Sequence, residues 1–241
     1  MATIDDLPQV TDFERIVFFT GAGMSAASGV PTYRGAGGLW KHYDYQAYAC
    51  QAAFNRNPEA VWEFHNVRRG LVAACVPNEG HTLIAQTEAQ LGDRVTVVTQ
   101  NIDGLHQLAG NDRVEELHGS LWRIRCDICN TTTTRRDAPL TELRCDDCGG
   151  WWRPDIVWFG DRLNSTVLGA ALDVIDQCDL LVSIGTSAVV YPAAEMPVRA
   201  LRKGATAVEI NPEATPLSTM YGPFSVRATA DEALKVMCAG L

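Results

Sequence analysis

Five short, largely apolar runs constrain this chain most: 16–20, 94–99, 180–184, 207–210 and 224–227. Each is too short for a helix that must bury a stripe, and 16–20, 180–184 and 207–210 lack the sustained apolar–polar alternation of a strand with one wet face. Such runs are the pattern of strands buried on both sides, which occur in parallel sheets covered by helices. Helical candidates fall between them, at 59–74, 81–91, 167–177, 195–203 and 231–238. In the third, Leu168, Leu172 and Ile175 recur at helical spacing with Ala171 on the same stripe. The expected fold is α/β, a doubly wound parallel sheet.

The pattern fails between Leu121 and Trp152, where cysteine, threonine and arginine cluster. Here Cys126-x-x-Cys129 and Cys145-x-x-Cys148 are separated by fifteen residues. Each C-x-x-C presents two thiolates to one face of a tetrahedral ion, and four thiolates leave no open position, so the reading is a structural zinc site in a small inserted ribbon. A redox dithiol and an iron–sulfur cluster are the alternatives. Gly149-Gly150 suits the turn after the second knuckle, while Cys50, Cys75, Cys178 and Cys238 are scattered and read as inert.

The first strand runs into Gly21-Ala22-Gly23-Met24-Ser25-Ala26, a match to G-x-G-x-x-G/A. Such glycines allow a tight turn and close approach of backbone to a pyrophosphate. The stretch from Gly29 to Gly38 follows in place of the usual second strand, and its Tyr33 and Arg34 suggest a lid. The strand at 94–99 ends in Gln100-Asn101-Ile102-Asp103-Gly104-Leu105-His106. Four hydrogen-bonding side chains at the carboxyl end of a buried strand point to a ligand crevice, although Asp103 or Asn101 could equally cap a helix. Two more strands end in Gly185-Thr186-Ser187 and Asn211-Pro212-Glu213. Asn211 or Glu213 could bind ribose hydroxyls, or Asn211-Pro212 could be only a turn.

Charge narrows the partners. Lys and Arg number 20 against 29 Asp and Glu, a net charge of −9, which disfavours nucleic acid and anionic membranes. The amino terminus has neither the basic nor the apolar region of a signal peptide, so a cytoplasmic protein, monomeric, is expected.

Read together, these motifs with Leu117-His118-Gly119 and 154–160 resemble the sirtuins, NAD-dependent protein deacylases, over nearly the whole chain. The resemblance implies a Rossmann-like NAD-binding domain from 1–34, 78–120 and 154–241. Residues 35–77 would form the cofactor loop and the helical part of a small domain, and 121–153 a ribbon with one structural zinc ion. It further implies that His118 is the general base and that Asn101 orients ribose or water. Asp103 would hold the nicotinamide carboxamide, with Gln100 and Ile102 beside it. The rest of the implied NAD site is Gly21, Ala22, Gly23, Ala26, Tyr33, Arg34, Trp40, Gly185, Thr186, Ser187, Asn211, Glu213 and Ala230. An acyl-lysine protein segment would bind as an extended strand along Val157, Trp158, Phe159 and Val189.

The lid stretch 34–40 is similar to the sirtuin branch that removes succinyl and other acidic acyl groups. That branch has Tyr-x-x-Arg near the acyl pocket, where this chain reads His65-Asn66-Val67-Arg68. Residues three apart share a helix face, so His65 and Arg68 could converge on one carboxylate. Ala27 is a second departure, standing where the family usually has Glu. Protein ADP-ribosyl transfer within the family and a Rossmann oxidoreductase are the alternative activities.

Overall fold

A computed structural model of the chain describes residues 3–32 and 44–241. In chain order the main elements are β1 (Ile16–Thr20), α1 (Tyr45–Tyr48), α2 (Gln51–Arg56), α3 (Pro58–Ala73) and α4 (Glu79–Leu91). Then come β2 (Val95–Thr99), α5 (Leu105–Ala109), β3 (Val114–Glu116), β4 (Gly119–Cys126), β5 (Thr132–Thr134) and β6 (Trp152–Ile156). The remainder is α6 (Ser165–Gln177), β7 (Leu180–Ile184), α7 (Met196–Arg202), β8 (Thr206–Ile210), β9 (Ser225–Val226) and α8 (Ala230–Met237).

Six strands form one parallel sheet in the order β3-β2-β1-β7-β8-β9, the doubly wound order in which the chain works outward from the centre in two directions. All five residues of β1, β2 and β7 are buried, as continuous apolar runs require. Side chains alternate between two cores. Ile16, Phe18, Val95 and Val97 pack with Ile84 of α4 and Leu234 and Met237 of α8. Val17, Phe19, Val98 and Leu181 face the other way, onto Ala171 and Ile175 of α6 and Met196 and Ala200 of α7. Phe18 and Phe19 are wholly removed from water, which stabilises the fold by roughly 2–3 kcal/mol for each ring. No helix among the described residues is long and apolar enough to cross a membrane.

Element ends differ from the sequence reading by local chemistry. Asn78 accepts from the His81 N–H and starts α4 at Glu79, two residues before 81. Arg94 lies in a single 3-10 turn, and the 224–227 run contributes only the two residues of β9. Strand β3 was not foreseen, because Val114-Glu115-Glu116 has two acids in three residues and no apolar run. Helices α1, α2 and α5 are too short to show a periodic stripe.

The cysteine-rich insertion is a separate antiparallel sheet in the order β5-β4-β6, running from Gly119 to Ile156 and thus slightly wider than 121–153. It shares a third core with the helices of the first insertion. Phe54, Val61 and Trp62 pack there with Leu121, Ile124, Trp152 and Trp158. The Trp62 indole N–H donates to the Trp152 carbonyl at 2.5 Å. Two segments remote in sequence thereby form one small module beside the carboxyl ends of the main strands.

Candidate active site

Strands β1 and β7 are neighbours, and the connections leaving them run to opposite sides of the sheet. The crevice at such a point is where open α/β sheets bind ligands. Here the two strand ends pack backbone against backbone: the Gly21 N–H donates to the Ile184 carbonyl at 2.9 Å and the Gly23 N–H to the Gly185 carbonyl at 2.8 Å. A Cβ on Gly23 would lie 2.6 Å from the Gly185 Cα. Gly185 has φ +60°, and a Cβ on it would lie 2.4 Å from the Met24 nitrogen. These glycines are therefore required by each other before any ligand is considered. From sequence, the turn and pyrophosphate reading and a purely steric need for glycine are both open at Gly21 and Gly23.

The polar run after β2 is wired into that junction. The Gln100 N–H donates to the Thr20 carbonyl, and its side chain donates to Thr186 Oγ1 at 3.0 Å. Asn101 Nδ2 donates to the Gly21 carbonyl at 3.0 Å and to Ser25 Oγ at 3.2 Å. Ser25 in turn donates to Asp103 Oδ2 at 2.8 Å. The other Asp103 oxygen, one position before the Gly104 cap, accepts from the N–H of Leu105, the first residue of α5. Burial raises the Asp103 pKa, against the opposing pull of its Leu105 and Ser25 hydrogen bonds and the Arg68 charge.

His118 sits just after β3. Its Nδ1 is 2.9 Å from the Gln100 carbonyl. A carbonyl can only accept, so Nδ1 carries the proton and the Nε2 lone pair is left as the basic atom. Burial lowers the His118 pKa, partly offset by that hydrogen bond. The imidazole is thus held neutral and in the tautomer a general base requires.

These groups border a cleft of about 1020 Å³. Of the residues expected from sequence, Gly21, Ala22, Gly23, Ala26, Gln100, Asn101, Ile102, His118, Gly185, Thr186, Ser187, Asn211 and Glu213 line it, as do Arg68, Val157, Trp158 and Phe159. Asp103 lies behind the wall, 6% exposed, held by Ser25. The Asn211 amide donates to the Thr186 carbonyl at 2.8 Å, tying two loops together and leaving Glu213 exposed on the cleft. Ala230 opens α8 and packs into the main core next to Gly80, away from the cleft. Val189 is exposed beside Val190 and Tyr191, which do line it. Tyr33, Arg34 and Trp40 lie outside the described residues.

His65 and Arg68 do not occupy equivalent positions. Arg68 lines the cleft, but His65 is fully buried, with its ring 5.1 Å from Phe64 and 6.0 Å from Trp158. Apart from an approach to the Tyr48 backbone, neither ring nitrogen has a hydrogen-bond partner among the described residues, and burial holds the imidazole neutral. Sharing a helix face was not enough. The short imidazole ends among aromatic rings, whereas the arginine is long enough to reach the wall.

Sequence reasoning missed a buried polar layer beneath the site. Thr20 donates to Thr99 Oγ1 at 2.8 Å and lies 3.0 Å from His106 Nε2, and the His106 ring meets that of His81 at 4.8 Å. The signal was present: Thr20 and Thr99 are the last residues of β1 and β2 and stand in register. Two polar residues closing two apolar runs mark one site once the strands are paired.

In the ribbon, the four sulfurs of Cys126, Cys129, Cys145 and Cys148 all lie within 4.8 Å of one another. Zn–S bonds of about 2.3 Å in a tetrahedron place sulfurs roughly 3.8 Å apart, so the donor set fits a zinc ion. The knuckle is tight as well: a Cβ on Gly150 would lie 2.9 Å from Cys126 Sγ.

Comparison with known proteins agrees with this geometry. A model of the Sir2 family matches residues 21–192. The NAD-dependent protein deacylase 1 of Caldanaerobacter subterraneus subsp. tengcongensis is 44% identical over 221 residues, covering 91% of each chain. The mitochondrial NAD-dependent protein deacylase sirtuin-5 of Xenopus tropicalis is 40% identical, over 86% of this chain and 76% of its own. A crystal structure of a Sir2 homologue bound to NAD superposes with a TM-score of 0.86 at 39% identity, covering 98% of this chain and 90% of the other. Sequence, fold and cysteine cluster thus agree, and the chain belongs to the Sir2 family of NAD-dependent protein deacylases, with a zinc ribbon as its structural metal site.

Proposed function

We propose that the chain removes acyl groups from lysine side chains in extended protein segments, acting on acetyl groups and on acyl groups that end in a carboxylate. The observation that carries this reading is His118, whose Nδ1 is fixed on the Gln100 carbonyl while the ring lines the cleft. Bound NAD would supply a nicotinamide–ribose bond whose cleavage leaves a carbon open to the acyl oxygen. The loops at Gly21–Gly23 and Gly185–Ser187 would hold its phosphates with backbone, their missing Cβ atoms allowing close approach. Asn101 and Ile102 would border the nicotinamide, with Asp103 reached from behind the wall. His118 would take a proton at Nε2 from a ribose hydroxyl, the task for which its neutral form is held.

The substrate side is supported by the half-exposed Phe159 and Val189 and the more exposed Tyr191 at the rim. Segments 157–160 and 188–191 would flank an added strand, which pairs through backbone and reads little side-chain sequence. Arg68 at the cleft wall would face a distal carboxylate, with guanidinium suited to that partner. His65, buried and neutral, would shape the pocket from behind. The test is nicotinamide release from NAD with acetyl- and succinyl-lysine peptides. Release with both is expected, none with any acyl peptide overturns the reading, and label passing from NAD to protein without deacylation would indicate ADP-ribosyl transfer.

A further inference from the structure

Strand β4 leaves the main domain for the ribbon at the polar run after β2, and two contacts join them. The Leu121 N–H donates to the Ile102 carbonyl at 2.9 Å, and the Trp122 indole N–H donates to the Asp103 carbonyl at 2.5 Å. The indole is closely fitted: Gly104 has φ +73°, and a Cβ there would lie 2.9 Å from Trp122 Cδ1. Guanidinium groups of Arg69 and Arg136 approach the ring at 5.1 and 5.5 Å. Arg69, 1% exposed on α3, also donates to the carbonyls of Leu121, Arg135 and Asp137. The Arg135 N–H returns to the Trp122 carbonyl at 2.8 Å.

We infer that Trp122 is a positioning residue that sets the Asp103 turn from the zinc ribbon, so that the nicotinamide end of the site depends on this indole N–H. This rests on the NAD reading above. A buried carbonyl left without its donor is penalised, and the turn relaxes to find another. The donor comes from β4, which continues to Cys126 four residues on, and Arg69 holds the indole's strand to α3, next to Arg68 at the cleft wall. The ribbon thereby reaches the Asp103 turn through this one side-chain hydrogen bond, next to the Leu121–Ile102 backbone contact.

The test is Trp122→Phe, which keeps an aromatic ring and deletes the donor. With one zinc still bound and Tm lowered by only the several degrees that one hydrogen bond and a smaller ring cost, KM for NAD and the nicotinamide concentration for half-inhibition should each rise about fivefold, the scale of one lost hydrogen bond, while KM for the acyl peptide stays constant. A purely structural role would lower Tm or zinc content and leave those two constants alone. If the phenylalanine variant does not fold, site-specific benzothienylalanine at position 122 keeps the bicyclic shape and lacks the N–H. Unchanged NAD and nicotinamide constants in either folded variant overturn the inference. Calorimetric NAD affinity gives the same readout without turnover, so failure of the deacylase reading and failure of this one are separable. Wild-type protein that does not bind NAD overturns both.

Discussion

Replacing Arg68 by methionine separates charge from bulk at the cleft wall. The aliphatic stem persists beside Phe64, whose ring centroid lies 5.8 Å from the guanidinium carbon. What is lost is the cation that, on the proposed reading, faces the acyl group. A hydrogen bond to a charged partner contributes about 1.5–3 kcal/mol when buried. Arg68 is only half-buried, so screening favours the lower part of that range, about 2 kcal/mol. At about 1.4 kcal/mol for each factor of ten, kcat/KM for a succinyl-lysine peptide should fall roughly thirtyfold. For the acetyl peptide, which has no distal charge, the change should be within about threefold. Competition between the two peptides in one reaction, with products resolved by mass spectrometry, measures the ratio directly. Equal losses would refute the argument, because they would mean that Arg68 holds the pocket together without reading the acyl charge.

Four further outcomes follow from the same geometry. His118→Ala should lower kcat at least a hundredfold with NAD affinity and Tm retained. Because burial lowers the His118 pKa, the acidic limb of the wild-type rate profile should have its midpoint below 6.5, and a midpoint above that value contradicts the neutral base. Cys126→Ser should release the equivalent of zinc, measured by metal analysis, and collapse the ribbon that shares its core with Trp62, seen as lost protection of α3 amides in hydrogen exchange. His81 and His106 are held neutral by burial, with pKa values lowered to about 4 and about 3. In the unfolded chain they bind protons near 6.5, so acid favours unfolding as pH falls from 6.5 toward 4 and below, and Tm should drop steeply there. His106→Asn should flatten that slope, and an unchanged slope would show that the pair does not govern it.

What the sequence made legible was whatever a short window encodes. Continuous apolar runs announced strands buried on both faces, and β1, β2 and β7 are buried throughout. The cysteine spacing announced a four-sulfur cluster, and all four sulfurs converge. What stayed hidden depends on pairs remote in sequence. His65 and Arg68 looked equivalent on one helix face, but the rings that enclose His65 include Trp158, ninety-three positions away and supplied by the segment after β6. Arg69 and Trp122 carried no motif at all, since a guanidinium spent on backbone carbonyls leaves no spacing rule to read.

The glycines show why the two kinds of information belong together. A glycine-rich turn after a first strand fits a phosphate loop and equally fits simple steric need, and one strand end alone cannot decide between them. Gly21, Gly23 and Gly185 come from two strand ends more than 160 residues apart, and each excludes a Cβ because the other's backbone is there. Adjacency of β1 and β7 is what creates that demand, and the same adjacency opens the crevice at the switch point. Steric need and ligand site are therefore one consequence of strand order. A side chain at Gly23 would push the two loops apart and disturb fold and cleft together, and for that reason the turn reads as a motif.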